Sequence, residues 1–392
     1  MIFADYNSTW PLEDSHLAAV MEALRKFDGN PSSQHASGRR AKVAVEDART
    51  AVSALLGCRP QELVFTSGAT ESNNLAIQGV AGHATKLVNG ARAHVVVGAT
   101  EHPSVIELAE VLAARGLVQL QLAPVDGNGV IRSDALLSMI REETVMVAIM
   151  AANNETGAIQ PVAELAAAVK ARATKVHFHV DAVQALGKLD CSWIGKGSSN
   201  VDSAAFSGHK IGAFKGCGAL YLKAGTKLHG LMIGGGQERS RRPGTENVPG
   251  IVSFGIRARE LAADDGALWK RWVDLQREAQ KELVCGLAGT PGAVVHGDPA
   301  AGLANTLNFH VSGVGGDDIL LNLDLAGIAA SSGSACSSGV GRPSHVLKAM
   351  GYDDWVALNS VRISLGSGDP LADVSKLIVV LDKTIRRVKR TL

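Results

Sequence analysis

A lysine and an acid, each set just past an apolar run, carry the first chemical signal in this sequence. Residues 201–210, V-D-S-A-A-F-S-G-H-K, read as a buried strand that breaks at Ser207-Gly208 and presents His209 and Lys210. Upstream, Val176-His177-Phe178-His179-Val180 reads as a second strand ending on Asp181, with Gln184 just beyond. In an open parallel α/β sheet, ligands bind at the carboxyl edge, so side chains delivered there can act on a small molecule. A lysine after a strand is usually no more than solvated; the acid at a neighbouring tip is what points to chemistry. Pyridoxal phosphate needs that pair. The amine forms a Schiff base with it, and the carboxylate keeps the pyridine nitrogen protonated so that the ring accepts electrons.

The elements that must position these groups repeat one grammar. Leu63-Val64-Phe65-Thr66 reads as a strand that runs into Ser67-Gly68-Ala69-Thr70-Glu71-Ser72-Asn73-Asn74, a glycine turn opening a helix. Such a helix start offers free N–H groups to a phosphate, or is an ordinary cap by Ser67 or Thr70; local sequence alone favours the cap. Val95-Val96-Val97 leads to Thr100-Glu101-His102, and residues 145–150 lead to Asn153-Asn154-Glu155-Thr156-Gly157. Helical patterns at 106–112 and 162–169 lie between them, the alternation of a mainly parallel sheet with helices on its faces. Strands ending near 66, 99, 151, 180 and 206 therefore bring polar groups to one rim. Residues 216–222 continue the sheet as an edge strand. The polar loop from 234 to 247 holds three arginines and Thr245, and is either simply flexible or an anion grip.

Outside this sheet, residues 1–12 form an extended arm. Leu17, Val20, Met21 and Leu24 recur at helical spacing, and a second amphipathic helix over 38–56 carries Val43, Val45, Ala48 and Val52. One long helical stretch, 251–287, leads to a second region. The expected division is a large domain over 13–258 and a smaller α+β domain made of 1–12 and 259–392. In the latter, 305–311 reads as a strand, 317–325 as a helix, and 361–365 as an alternating strand with Arg362 and Ser364 on one face. An arginine there suits a bidentate grip on a carboxylate, or belongs to a charged outer face. Cys336 sits in S-S-G-S-A-C-S-S-G, without large apolar neighbours, so it is either a mobile reactive thiol or an incidental surface one.

Bulk properties narrow the classes. The chain has 392 residues, enough for a large core, and its 39 Lys plus Arg nearly cancel its 38 Asp plus Glu. That balance gives no reason to expect nucleic acid or an anionic membrane as the principal partner. Cys58, Cys191, Cys217, Cys285 and Cys336 are odd in number and form no C-x-x-C pair, which argues against a disulfide framework or a zinc site and for reduced thiols in a cytoplasm. The start M-I-F-A-D-Y-N has an early acid and no basic flank, and no later segment supplies about 18 uncharged apolar residues, so a soluble, unexported protein is expected.

The chain resembles the cysteine desulfurases, pyridoxal-phosphate enzymes of fold type I in the class V aminotransferase group, and within them the branch that supplies sulfur to nitrogenase and iron–sulfur clusters. The motifs that carry the resemblance are T-S-G-A-T-E-S-N-N at 66–74, E-H-P at 101–103, N-N-E-T-G at 153–157, D-A-V-Q at 181–184, S-G-H-K at 207–210, R-P-G-T-E-N at 242–247 and S-S-G-S-A-C at 331–336. It implies a large domain with a mainly parallel seven-stranded sheet. It further implies that Lys210 holds the cofactor covalently, Asp181 pairs with its pyridine nitrogen, and Gln184 and Asn154 lie by its phenolic oxygen. His102 would stack on the ring and shuttle protons. Ala69, Thr70, Ser207 and His209 would surround the phosphate, and Thr245 would reach the phosphate of a second subunit in a homodimer. Arg362, with Asn154 and Asn7, would bind the substrate, L-cysteine. Cys336 would take its sulfur as a persulfide, leaving L-alanine, and pass it to an acceptor such as an iron–sulfur scaffold protein. Ser8-Thr9-Trp10 stands where the family usually shows Ala-Thr-Thr, a change expected to alter the pocket entrance. Selenocysteine lyase, an aminotransferase of the same fold and a non-enzymatic scaffold are the alternatives.

Overall fold

Short apolar runs that end in polar turns become strands here because nearly all of them are covered on both faces. The computed structural model describes residues 1–84, 92–196, 199–333 and 341–391. Cys336, with the rest of 334–340, lies outside the described residues. The chain begins with β1 (Ile2–Phe3), α1 (Asp14–Leu24), α2 (Ala36–Leu55), β2 (Leu63–Thr66), α3 (Ala69–Ala84) and β3 (Ala93–Gly98). There follow α4 (Pro103–Ala114), β4 (Val118–Ala123), α5 (Ser133–Met139), β5 (Thr144–Met150), α6 (Val162–Arg172), β6 (His177–Asp181), β7 (Ser203–Ser207) and β8 (Gly218–Leu222). Next come α7 (Val248–Ala262), α8 (Ala267–Ala288), β9 (Ala293–Val295), β10 (Thr306–Val311), α9 (Gly316–Leu325), β11 (Ile328–Ala329) and β12 (Ser331–Ser332). The last are α10 (His345–Ala349), α11 (Asp354–Asn359), β13 (Val361–Ser364) and α12 (Pro370–Thr391).

The large sheet runs β2-β8-β7-β6-β5-β3-β4, the expected seven strands, and all neighbours are parallel except the two pairs that involve β8. Residues 218–222 are not an edge, as the sequence suggested. They turn back beside β7, and β2 closes on their other side with Leu63 opposite Tyr221. Which strand fills that outer place is a long-range matter that a five-residue run cannot disclose. The true edge at the other end is β4, whose Gln119 and Gln121 are exposed. A second sheet, β12-β13-β10-β9, is antiparallel, and β1 pairs with β11. Two main apolar clusters result, one with Phe178, Phe206 and Phe254 about the large sheet, the other with Phe309, Ile363 and Leu381.

The two early helices form as their spacing predicts, with buried faces that differ in detail, and the third, longer one is corrected. In α1, His16 and Val20 are buried while Leu17 and Met21 are exposed, because the His16 ring meets Ser253 Oγ at 2.9 Å. Val43 of α2 is likewise exposed. The inner face of α2 is built from small residues, and a Cβ on Gly255 of α7 would come within 2.5 Å of Ala48. The 251–287 stretch is two helices, parted where Asp264 and Asp265 take φ of 49° and 54°. The amino-terminal arm threads between the two clusters: Ile2 and Phe3 pair with Ile328 and Ala329, and Trp10 packs on Trp272 with ring centres 4.9 Å apart. Trp10 is therefore core, while the Ser8 carbonyl and the Thr9 hydroxyl meet Lys210 and His209.

Candidate active site

The carboxyl ends of β5, β6 and β7, with the start of α3, open onto a cavity of about 430 Å³, within the range of small-molecule sites. Asp181 is the last residue of β6, and Lys210 follows β7 through the Ser207-Gly208 turn, as the sequence suggests. Gly212 ends that turn at φ 85°, a left-handed backbone that suits glycine. The Lys210 amine donates to the carbonyls of Asn7 and Ser8, each at 2.7 Å. Ala69 and Thr70 line the cavity from the first turn of α3, where N–H groups have no helical acceptor. Ser207 and His209 line it from the β7 side. Burial beside Lys210 and Lys215 pushes the His209 ring down to about 4, so it is neutral at pH 7.

His102 caps α4 and also lines the cavity. Its Nδ1 accepts the Ser104 N–H at 3.1 Å, so the neutral ring carries its proton on Nε2. Burial holds this ring below the ordinary histidine range; Asp181 opposes the fall and Lys210 adds to it. Gln184 Nε2 donates to the Asn7 carbonyl at 2.9 Å. The Asn154 carbonyl accepts Arg362 Nη1 at 3.0 Å, and Arg362 Nη2 meets Asp5 Oδ1 at 2.7 Å. Arg362 is fully buried, which settles its face of β13 as interior. Asn7 reaches the cavity, yet its amide is fully engaged with protein. Nδ2 donates to the Asn154 carbonyl at 3.1 Å and Thr306 Oγ1 at 2.8 Å, and Oδ1 accepts from Lys188 at 2.9 Å and Asn305 at 3.0 Å. Thr245 is exposed and stands outside the cavity. The loop arginines are spent inside the chain: Arg242 pairs with Glu71 at 2.8 Å, and Arg239 and Arg241 donate to backbone carbonyls near β2.

Several residues escaped the sequence reading. Lys188 is buried, and its amine donates to Gln184 Oε1 as well as to Asn7. Burial, with Lys210 and Arg362 nearby, holds it well below the usual lysine range. Glu101 is also buried. Desolvation raises its carboxyl well above normal, one oxygen accepts the Met150 N–H at 2.6 Å, and the other has no partner among the described residues. Asn73 donates to Asp181 at 2.8 Å and to Ser104 Oγ at 2.9 Å. The signal that could have revealed it is the polar alternation His177, His179, Asp181 in a strand otherwise apolar, since such a strand needs a polar partner above it.

Fold and site together place the chain in the class of pyridoxal-phosphate-dependent enzymes of fold type I. Comparison with known proteins narrows this: the chain belongs to the aminotransferase class-V family, which matches residues 2–377. A cysteine desulfurase of Trichormus azollae is 40% identical over 390 residues, covering 99% of this chain and 94% of that protein. The cysteine desulfurase IscS of Methanosarcina thermophila is 36% identical over 389 residues, with 99% and 93% covered. A solved structure described as a NifS-like protein superposes with a TM-score of 0.88 at 34% identity, and each chain is covered by 100%.

The residues present fit the cofactor. Both Asp181 oxygens accept N–H donors, from Asn73 at 2.8 Å and Val183 at 3.0 Å, which suits a carboxylate facing a protonated ring nitrogen. A Cβ added to Gly68 would meet nothing within 4 Å, so the approach to the α3 start is open to a phosphate. Among the described residues, no cluster of three or more His, Cys, Asp or Glu is arranged for a metal, and no helix is long and apolar enough to cross a membrane.

Proposed function

We propose that this chain is a cysteine desulfurase: L-cysteine and an enzyme thiol give L-alanine and an enzyme persulfide on Cys336, which passes its sulfur to an acceptor such as an iron–sulfur scaffold protein. One observation carries the reading. The chain enters and leaves the segment that bears Cys336 beside the cavity wall. Gly333 lies where an added Cβ would be 3.1 Å from Glu155 Oε2, Ser344 Oγ donates to that same oxygen at 2.5 Å, and His345 Nε2 is 2.8 Å from the Glu101 carbonyl. Glu101 and Glu155 are the immediate neighbours of His102 and Asn154. Full-length similarity to proteins named cysteine desulfurase supports the same reading.

When bound, the cofactor supplies an electron sink at the substrate α-carbon. Lys210 would anchor it and exchange the α-proton, Asp181 would keep the pyridine nitrogen protonated, and His102 would offer the ring side of the cavity a proton on Nε2. The α3 start at Ala69 and Thr70, with Ser207 and His209, takes the phosphate, and Gln184 and Asn154 orient the phenolic oxygen. Arg362 draws the substrate carboxylate toward Asn154, and Asn7 holds that wall in place through its carbonyl and its engaged amide. The thiolate of Cys336 is the nucleophile toward sulfur. We further propose a homodimer in which the exposed Thr245 serves the second protomer's phosphate site, with the exposed Leu231, Met232 and Ile233 as apolar surface for the contact. The working division is 13–258 as the large domain, and 1–12 with 259–392 as the small one. A cytoplasmic setting suits the free thiols of Cys58, Cys191, Cys217 and Cys285.

The purified protein should be yellow, and Lys210→Ala should lose the colour. Cys336→Ala should keep the colour and lose sulfide release from L-cysteine. After brief exposure to L-cysteine, mass spectrometry should find about 32 daltons, one sulfur, added to Cys336. Normal turnover by Cys336→Ala would remove the persulfide role.

A further inference from the structure

The hydrogen bonds behind Asp181 run in one direction, and the donors present force that direction. In β6 the period of two sets His177, His179 and Asp181 on one face of the sheet, beneath the α3 residue Asn73. Asn73 is fully buried. Its Nδ2 gives one hydrogen to Asp181 Oδ2 at 2.8 Å and the other to Ser104 Oγ at 2.9 Å. Its Oδ1, 2.9 Å from His179 Nε2, is therefore an acceptor, and that nitrogen carries the proton. A neutral His179 must then accept at Nδ1, where Ser203 Oγ stands at 2.8 Å. Ser203 has a single hydrogen, so it accepts in turn from His177 Nε2 at 2.7 Å. Burial keeps both rings neutral, pushed down to about 3 for His179 and about 4 for His177. On the second branch, Ser104 Oγ accepts from Asn73 and gives its own hydrogen to His102 Nδ1 at 2.8 Å.

We propose that Asn73 is a positioning residue that ties Asp181 to His102, and that His179, Ser203 and His177 extend it into a one-way chain of donors. The chain holds one oxygen of the Asp181 carboxylate in place and fixes the His102 proton on Nε2, toward the cavity. Turning the Asn73 amide over would set its oxygen against the Asp181 carboxylate and leave both branches without a donor, so His179 acts as the lock on its orientation. The inference rests on the proposed pairing of Asp181 with the cofactor's ring nitrogen.

Two measurements test it. In the full-length wild-type chain labelled with ¹⁵N in its histidine rings, long-range proton–nitrogen spectra should place the proton on Nε2 of His102, His177 and His179. This readout needs neither cofactor nor variant, and a proton on Nδ1 of His179 overturns the proposal. In the holoenzyme, Asn73→Ala with cofactor labelled at the ring nitrogen should shift that nitrogen toward its unprotonated signal. The variant's kcat should fall roughly ten- to hundredfold with KM little changed, the cost of one lost hydrogen bond to a charged group. An unchanged ring-nitrogen signal in Asn73→Ala overturns the proposal and leaves the desulfurase reading standing. A wild-type chain that binds no cofactor at Lys210 overturns that reading instead, and the histidine tautomers then decide this one.

Discussion

Lys188 shows how much of the site is held by groups that never touch its contents. Whether charged or neutral, its amine has two hydrogens for Asn7 Oδ1 and Gln184 Oε1, so it satisfies two buried acceptors in either state. Lys188→Met removes both donors at once. It should lower the stability measured by urea unfolding by roughly 1–3 kcal/mol, the cost of leaving buried acceptors unpaired. A gain in stability would mean that relief from burying the amine outweighs those bonds. Nothing in the sequence distinguishes this lysine from a solvated one. Its partners lie four residues upstream and at the far amino-terminal end, and the second relation exists only once the chain is folded.

At the scale of elements, the legible part of the site is the part each strand carries at its own tip. Asp181, Lys210, His102 and Asn154 each follow a recognisable apolar run, and the parallel sheet gathers them without further instruction. What stayed hidden depends on which segments meet in space. Glu238 lies in a glycine- and arginine-rich loop that reads as flexible or as an anion grip, yet it is buried, takes φ of 47°, and holds Arg49 of α2 through two bonds of 2.9 and 2.6 Å while accepting the Phe65 N–H at 2.9 Å. The pair therefore pins the loop to both α2 and β2. Glu238→Ala would leave the buried Arg49 guanidinium with only the half-exposed Glu46 and the Leu63 carbonyl, and urea unfolding should record a loss of roughly 1–3 kcal/mol. A change under 1 kcal/mol would show that the loop relaxes and releases Arg49 to water. The place of β8 inside the sheet was hidden for the same reason.

For the whole molecule, the buried histidines make stability depend on acidity. Folding holds His177 near 4 and His179 near 3, against 6.5 for an unhindered ring. Between those values the unfolded chain binds more protons, so stability rises with pH across that window and is lost on acidification. From pH 7 to pH 5 each ring should cost about 2 kcal/mol. Urea unfolding of the wild type and His177→Gln at the two pH values checks this: the variant should lose less on acidification, and equal losses would mean that the folded His177 already takes up its proton. A different consequence follows from the arm that threads the seam between the two clusters. Residues 2–10 are made long before several of their partners: Ile2 and Phe3 pair with Ile328 and Ala329, Asp5 meets Arg362, and Trp10 packs on Trp272. During synthesis the large sheet has all its strands early, but the arm whose carbonyls hold the Lys210 amine gains its partners Arg362 and Ser364 only late.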